Sequence, residues 1–132
     1  MATAIEFQHI HKAYGEKIII SDLSLTIEQG EFVTFIGSSG CGKTTLLKMV
    51  NGLTTPTSGN VLVNGEDIRE KNLIELRRNI GYTIQGSVLF PHMTVEQNIA
   101  YVPNLLNKKD TKRTKDAVAK WMQIVGLDEE LK

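Results

Sequence analysis

Paired cysteines, long apolar runs and excess charge of either sign are all missing from this chain. Its single cysteine, Cys41, has no partner for an internal disulfide. That excludes the small disulfide-stapled folds and makes a reducing compartment the natural setting. No uninterrupted apolar stretch approaches the roughly 20 residues that cross a bilayer. Glu6 and His9 break the early apolar run, so nothing near the start resembles a signal peptide. The 15 Lys and Arg residues balance 15 Asp and Glu, so no global field points to nucleic acid or an anionic membrane. Lys108, Lys109, Lys112, Arg113, Lys115 and Lys120 do gather late in the chain. No aromatics interleave with them, which reads as a solvated helix face. His9, His11 and His92 lack Cys or carboxylate partners at metal-ligand spacing. At 132 residues the chain suits one domain with a sizeable core.

What the chain has is Gly37-Ser38-Ser39-Gly40-Cys41-Gly42-Lys43-Thr44-Thr45, which fits the phosphate-loop pattern G-x-x-x-x-G-K-[ST]. Glycines let the backbone curl so that its N–H groups point inward, where bulkier residues would obstruct a phosphate. A helix after the loop aims its unpaired N-terminal N–H groups and positive dipole end at the same anion. Lys43 adds a mobile charge for the β/γ-phosphates, and the Thr44 hydroxyl can ligate Mg²⁺. Glu31 to Ile36 before the loop reads as a near-continuous apolar strand. Lys43 to Val50 after it reads as a helix, with Asn51-Gly52 as its stop.

Elsewhere the order is legible in outline. Ile5, Phe7 and Ile10 suggest a first strand. Ile18 to Ile20 and Leu23 to Ile27 suggest a second, bent around Ser21-Asp22. Val61 to Val63 is a short strand before the hairpin dipeptide Asn64-Gly65. These early strands read as antiparallel. Asn72 caps a helix through Arg78, and Ile80 to Ile84 reads as a further strand ending at Gln85. Thr94 and Gln97 form a capping box for a helix that Pro103 is expected to end. Asp110 caps the last long helix, whose stripe of Ala117, Val118, Trp121, Met122 and Val125 stops at Gly126.

Three side chains around the loop have two readings each. Tyr14, in a polar turn after the first strand, either stacks on a purine base or is an ordinary half-exposed tyrosine. Gln85 either completes an Mg²⁺ shell or orients a water, as glutamines do in phosphoryl-transfer sites, or simply hydrogen-bonds a strand end. Cys41 lies at a position the loop pattern leaves free, so it is read as filler, although a helix N-terminus and Lys43 favour its thiolate.

The chain resembles the ATP-binding subunit of ABC transporters. The carriers are Tyr14, the loop from Gly37 to Thr45, the run Leu76 to Tyr82 into Gln85, and the run Leu89 to Ile99. The resemblance implies an α/β P-loop NTPase core with an antiparallel β subdomain, reaching to about residue 101. The start of a helical subdomain follows, at about 102–132. It also implies ATP and Mg²⁺ as cofactors. Tyr14 would stack on adenine; Gly37, Ser38, Ser39, Gly40, Cys41, Gly42, Lys43, Thr44 and Thr45 would line the phosphates. Thr44 and Gln85 would hold Mg²⁺, with Lys43 and Gln85 acting in catalysis. The segment from Ser87 to Val102 would meet a transmembrane permease, and a second copy of the subunit would close the site. That places the chain at the cytoplasmic face of the membrane, without insertion of its own and without nucleic acid. Within the family, Glu75 to Arg78, Leu89 to Thr94 and Tyr101 to Leu106 look like importers of osmoprotectants such as glycine betaine, choline or carnitine.

The family's LSGGQ signature, Walker B Asp-Glu pair and switch histidine do not occur by Lys132. The chain is therefore expected to be roughly the first half of the ATPase domain, binding ATP but hydrolysing it poorly. It is also expected to expose strand edges and to self-associate. Two other readings stand beside this: a fragment that only binds nucleotide or a partner, and a P-loop kinase or GTPase, against which the antiparallel opening strands and Tyr14 speak.

Overall fold

The computed structural model describes residues 2–86, 89–106 and 110–127. It holds two compact units, Met1–Tyr82 and Thr83–Lys132. The basic residues Lys108 and Lys109, and the start of the permease-facing segment at Ser87, lie outside the described residues.

The first unit is built on a long hairpin, β1 (Thr3–Tyr14) and β2 (Lys17–Glu28). Gly15 takes φ +63 at the first position of the two-residue turn, where glycine is favoured. After the phosphate loop comes α1 (Lys43–Val50), then β3 (Ser58–Val63), β4 (Glu66–Asp67), a 3₁₀ turn at Ile68–Glu70 and α2 (Leu73–Arg78). The sheet is antiparallel in the order β2-β1-β3-β4. Asn64 and Gly65 both have positive φ, as a tight turn of that dipeptide requires. The bend anticipated at Ser21-Asp22 is an irregularity within one continuous strand: Ile10 pairs with Leu23, yet Lys12 pairs with Ile20.

A second irregularity explains the imperfect alternation of β1. Phe7 pairs with Leu25 and Ile10 with Leu23, so β1 carries one extra residue there. Side chains in a strand alternate faces, and an inserted residue resets the phase. Phe7 and Ile10 are consequently both buried, although three positions apart. His9 takes the strain, with φ +48 and its N–H given to Ser24 Oγ at 3.0 Å. Opposite the bulge, Gly59 has φ +94. A Cβ there would stand 2.3 Å from the His9 carbonyl oxygen and 2.6 Å from that of Gln8. The core joins this sheet face to the helices through Phe7, Ile10, Met49, Val61, Ile68 and Leu76. Each full burial of such a side chain contributes about 1.5–3 kcal/mol.

Two expected strands are absent among the described residues. Glu31 to Ile36 and Ile80 to Ile84 are both without sheet pairing. Phe32 and Ile36 are 93% and 94% exposed. An apolar run suits a strand, but it becomes one only when a neighbouring chain supplies hydrogen bonds and cover. The described residues supply none here. Phe35 and Ile80 still pack against the core. Beside α1, an apolar groove of about 480 Å³ opens between Ile5, Ile27, Val33, Phe35, Leu47 and Val50.

The second unit pairs α3 (Val95–Leu106) with α4 (Thr111–Ile124) around Ala100, Val118 and Met122. The capping box is reciprocal: Gln97 N–H donates to Thr94 Oγ1 at 3.1 Å, and Thr94 N–H to Gln97 Oε1 at 2.9 Å. Asn98 ties the preceding loop to the helix, accepting from Phe90 N–H and donating toward the Phe90 and Thr94 carbonyls. Pro103, expected to end α3, lies inside it, with the helix continuing to Leu106. Its fixed φ is compatible with a helix, so the cost is one missing bond and crowding of the Ile99 carbonyl. On α4 the Asp110 cap accepts from Arg113 N–H, and Gly126 ends the helix at φ +77. The buried stripe is Thr114, Val118 and Met122, whereas Trp121 and Val125 are exposed. No described helix is long and apolar enough to cross a membrane.

Gly59→Ala should cost about 2 kcal/mol or more in a urea titration, through backbone collision as well as strain. Gly65→Ala, at φ +82 with open space around its Cβ, should lose only the conformational cost of about 1 kcal/mol. Equal losses would remove the bulge contact from this account.

Candidate phosphate-binding site

The glycine loop sits where α1 begins, and its shape follows from its glycines. Gly40 and Gly42 have φ +82 and +102, a region that side chains with a Cβ disfavour. A Cβ on Gly37 would come within 2.6 Å of Cys41 Sγ, so a side chain there would displace that of Cys41. Cys41 N–H donates to the Ser38 carbonyl at 3.2 Å, drawing the tip into a turn. Gly42 occupies the N-cap, and no side chain caps the first N–H groups of α1. The first turn also carries no acidic residue. Both facts leave the helix's positive end open to an anion.

Lys43 folds back across the loop, donating from Nζ to the Gly37 carbonyl. Thr44 is exposed and Thr45 half-buried on the first turn, with Ser38, Ser39 and Cys41 exposed around the rim. The floor comes from β2: a Cβ on Gly42 would lie 2.8 Å from Ile19 Cγ2 and 3.3 Å from Ile20 Cγ1. This fixed backing by Ile19 and Ile20 has no signal in the sequence, where both read as ordinary strand residues. The residues present thus fit a nucleotide triphosphate tail. The loop amides and Lys43 would hold its phosphates, and Thr44 would offer a hydroxyl to Mg²⁺, which when bound would neutralise phosphate charge.

Tyr14 lies at the end of β1, beside the turn of the same hairpin that backs the loop. Its ring is half-exposed, with Lys12 Nζ at 4.8 Å from the centroid. The hairpin end is pinned from the other side, where Lys12 Nζ donates to the Thr55 carbonyl at 2.8 Å and Thr57 N–H to that of His11 at 2.8 Å. Gln85 is exposed and belongs to the second unit, so it is not part of the body that holds the loop and Tyr14. Of the histidines, His9 lies 3.4 Å from Asp22, His11 Nδ1 lies 3.1 Å from the Ser21 carbonyl, and His92 packs edge-on to Phe90.

The ABC transporter family model matches residues 20–132. The chain belongs to the ABC transporter family. Over 127 residues it is 46% identical to the carnitine transport ATP-binding protein OpuCA of Listeria monocytogenes, covering 96% of this chain and 32% of that protein. It is 45% identical over the same length to the glycine betaine/carnitine/choline transport ATP-binding protein OpuCA of Bacillus subtilis, covering 96% of this chain and 33% of that one. Among solved structures, a bacterial Atm1-family ABC exporter with ATP bound is similar at TM-score 0.68 and 32% identity, over 76% of this chain and 18% of that one. The chain spans about a third of the length of these curated relatives. Membership of the ABC family sets aside the kinase and GTPase alternative.

Alkylation of the exposed Cys41 thiol should obstruct the loop, and saturating MgATP should slow the labelling severalfold. Mass spectrometry of the modified chain reads this directly, and equal labelling with and without MgATP would place Cys41 outside the nucleotide footprint.

Proposed function

We propose that this chain is the nucleotide-gripping part of an ABC transporter ATP-binding subunit. In the whole protein, MgATP binding and hydrolysis drive a membrane permease that takes up a quaternary-ammonium osmoprotectant. The observation that carries this is the uncapped, acid-free start of α1 behind a glycine loop, with Lys43 already seated over it, in a chain of this family. The loop amides and Lys43 hold the β- and γ-phosphates, Thr45 reaches toward the α-phosphate, and Tyr14 stacks on adenine. Thr44 and Gln85 hold Mg²⁺, and Gln85 reports its state to the permease. The segment after Gln85 docks on that permease from the cytoplasmic side, and a second subunit completes the catalytic site. The cargo class is supported by the printed functions of the relatives at about 45% identity.

Residues 1–132 contain no Walker B glutamate to orient the attacking water. General-base assistance is worth ~10²–10⁴-fold, so binding by this chain outlasts turnover. Lys43→Ala should weaken MgATP binding at least about tenfold, or roughly 1.4 kcal/mol. Isothermal titration of the wild-type and variant chains checks this. Unchanged affinity would remove the loop from the site.

A further inference from the structure

The C-terminal end of α1 is held by a side chain from another element. The helix closes on Asn51 and Gly52. Gly52, at φ +74, donates its N–H to the Met49 carbonyl at 3.3 Å, and Leu53 N–H donates to that of Lys48 at 2.9 Å. This double closure uses up carbonyls of the last turn but leaves those of Asn51 and Gly52 pointing away. Arg77, in the last turn of α2, meets both: Nε donates to the Asn51 carbonyl at 2.9 Å, and Nη2 to the Gly52 carbonyl at 3.3 Å. The ion pairs found among the described residues do not include Arg77.

The surroundings make this a rigid joint. Asn51 is buried, with its Oδ1 accepting from Leu53 N–H at 3.2 Å. A Cβ on Gly52 would stand 2.8 Å from Leu73 Cδ2, so the start of α2 packs directly on the helix end. Met49 and Leu76 belong to one buried cluster, tying the two helices at a further point. The guanidinium also puts fixed positive charge at the negative end of the α1 dipole.

We infer that Arg77 is a positioning residue for the phosphate loop and acts through α1. The helix is short, eight residues from Lys43 to Val50, so its two ends move together. Fixing the Asn51 end fixes the direction of the N–H groups at the Lys43 end, and phosphate binding depends on that direction because the amides cannot reach. Arginine suits the task because its planar fork donates along two directions at once, whereas a lysine is a single point of charge. The inference rests on MgATP binding as proposed above.

The test is a nucleotide titration of the wild-type chain, Arg77→Ala, Arg77→Lys, Lys43→Ala and the Arg77→Ala/Lys43→Ala double variant. All are measured below the onset of unfolding, as followed by circular dichroism. Arg77→Ala should bind MgATP roughly fivefold to tenfold more weakly, and Arg77→Lys should recover part of the loss. In the double variant the two losses should fall short of their product, since both act on one loop; independent structural damage would multiply in full. If Arg77→Ala proves too unstable, Arg77→Lys and its own double variant with Lys43→Ala carry the same comparison. Wild-type affinity in Arg77→Ala, or fully multiplicative losses, would overturn the inference while leaving ATP binding intact. A folded wild-type chain that binds no MgATP would instead remove the reading beneath it.

Discussion

The open start of α1, with no side-chain cap and no acidic residue in its first turn, is the constraint around which the first unit is arranged. The loop before it is exposed from Gly37 to Cys41, so water can serve its free donors, and what holds the loop in its curl is the surrounding chain. Glycine at 37, 40 and 42 permits the curl but does not enforce it, because glycine is also the residue with most freedom to leave it. Enforcement comes mostly from outside the loop. Ile19 and Ile20 back Gly42 from β2, the Ser38 carbonyl ties Cys41, and the far end of α1 is fastened to α2.

That division of labour explains why an irregular strand underlies a regular function. The extra residue at His9 keeps Phe7 and Ile10 on the core face beneath α1, so the hairpin stays a packed platform along its length. Without it the strand would turn Ile10 to solvent and His9 inward, and the buried cluster shared with Met49 on α1 would lose a member. Strain at one residue with φ +48 thus secures the apolar contact on which the helix rests. Local cost is exchanged for burial worth about 1.5–3 kcal/mol per side chain.

The parts legible in the sequence were those decided within a few residues. The Asn64-Gly65 turn, the Asn72 and Asp110 caps, the Thr94/Gln97 box and the glycine stops at Gly52 and Gly126 each depend on local geometry, and each is found where its residue pattern stands. The curl at Gly40 and Gly42 and the helix that starts at Lys43 belong with them, because positive φ is set by residue type. What was not legible depends on partners distant in sequence. Glu31 to Ile36 has the composition of a buried strand, but nothing in its six letters says whether a neighbour is present to pair with it. Trp121 fits a helical stripe by periodicity, and only the position of α3 decides that Thr114 is buried in its stead. Nothing in the sequence links Arg77 to the end of α1, since its carbonyl partners lie 25 and 26 residues away.

The seat of Lys43 bears on how binding is driven. An ammonium left in water would lose rotamer freedom and part of its hydration on meeting phosphate, and both losses would subtract from affinity. Here the side chain is already folded over the loop, with the Gly37 carbonyl accepting one of its protons. Much of the ordering is therefore complete in the folded chain. What would change on the ligation proposed above is a partner: the neutral Gly37 carbonyl would give way to, or be joined by, charged phosphate oxygens. A phosphate oxygen adds the attraction of opposite charges, which a neutral carbonyl lacks, so under the proposed function the exchange would favour the anion. Under the proposed function the same seat would favour anions, because a neutral ligand would offer Lys43 nothing better than the carbonyl it already has.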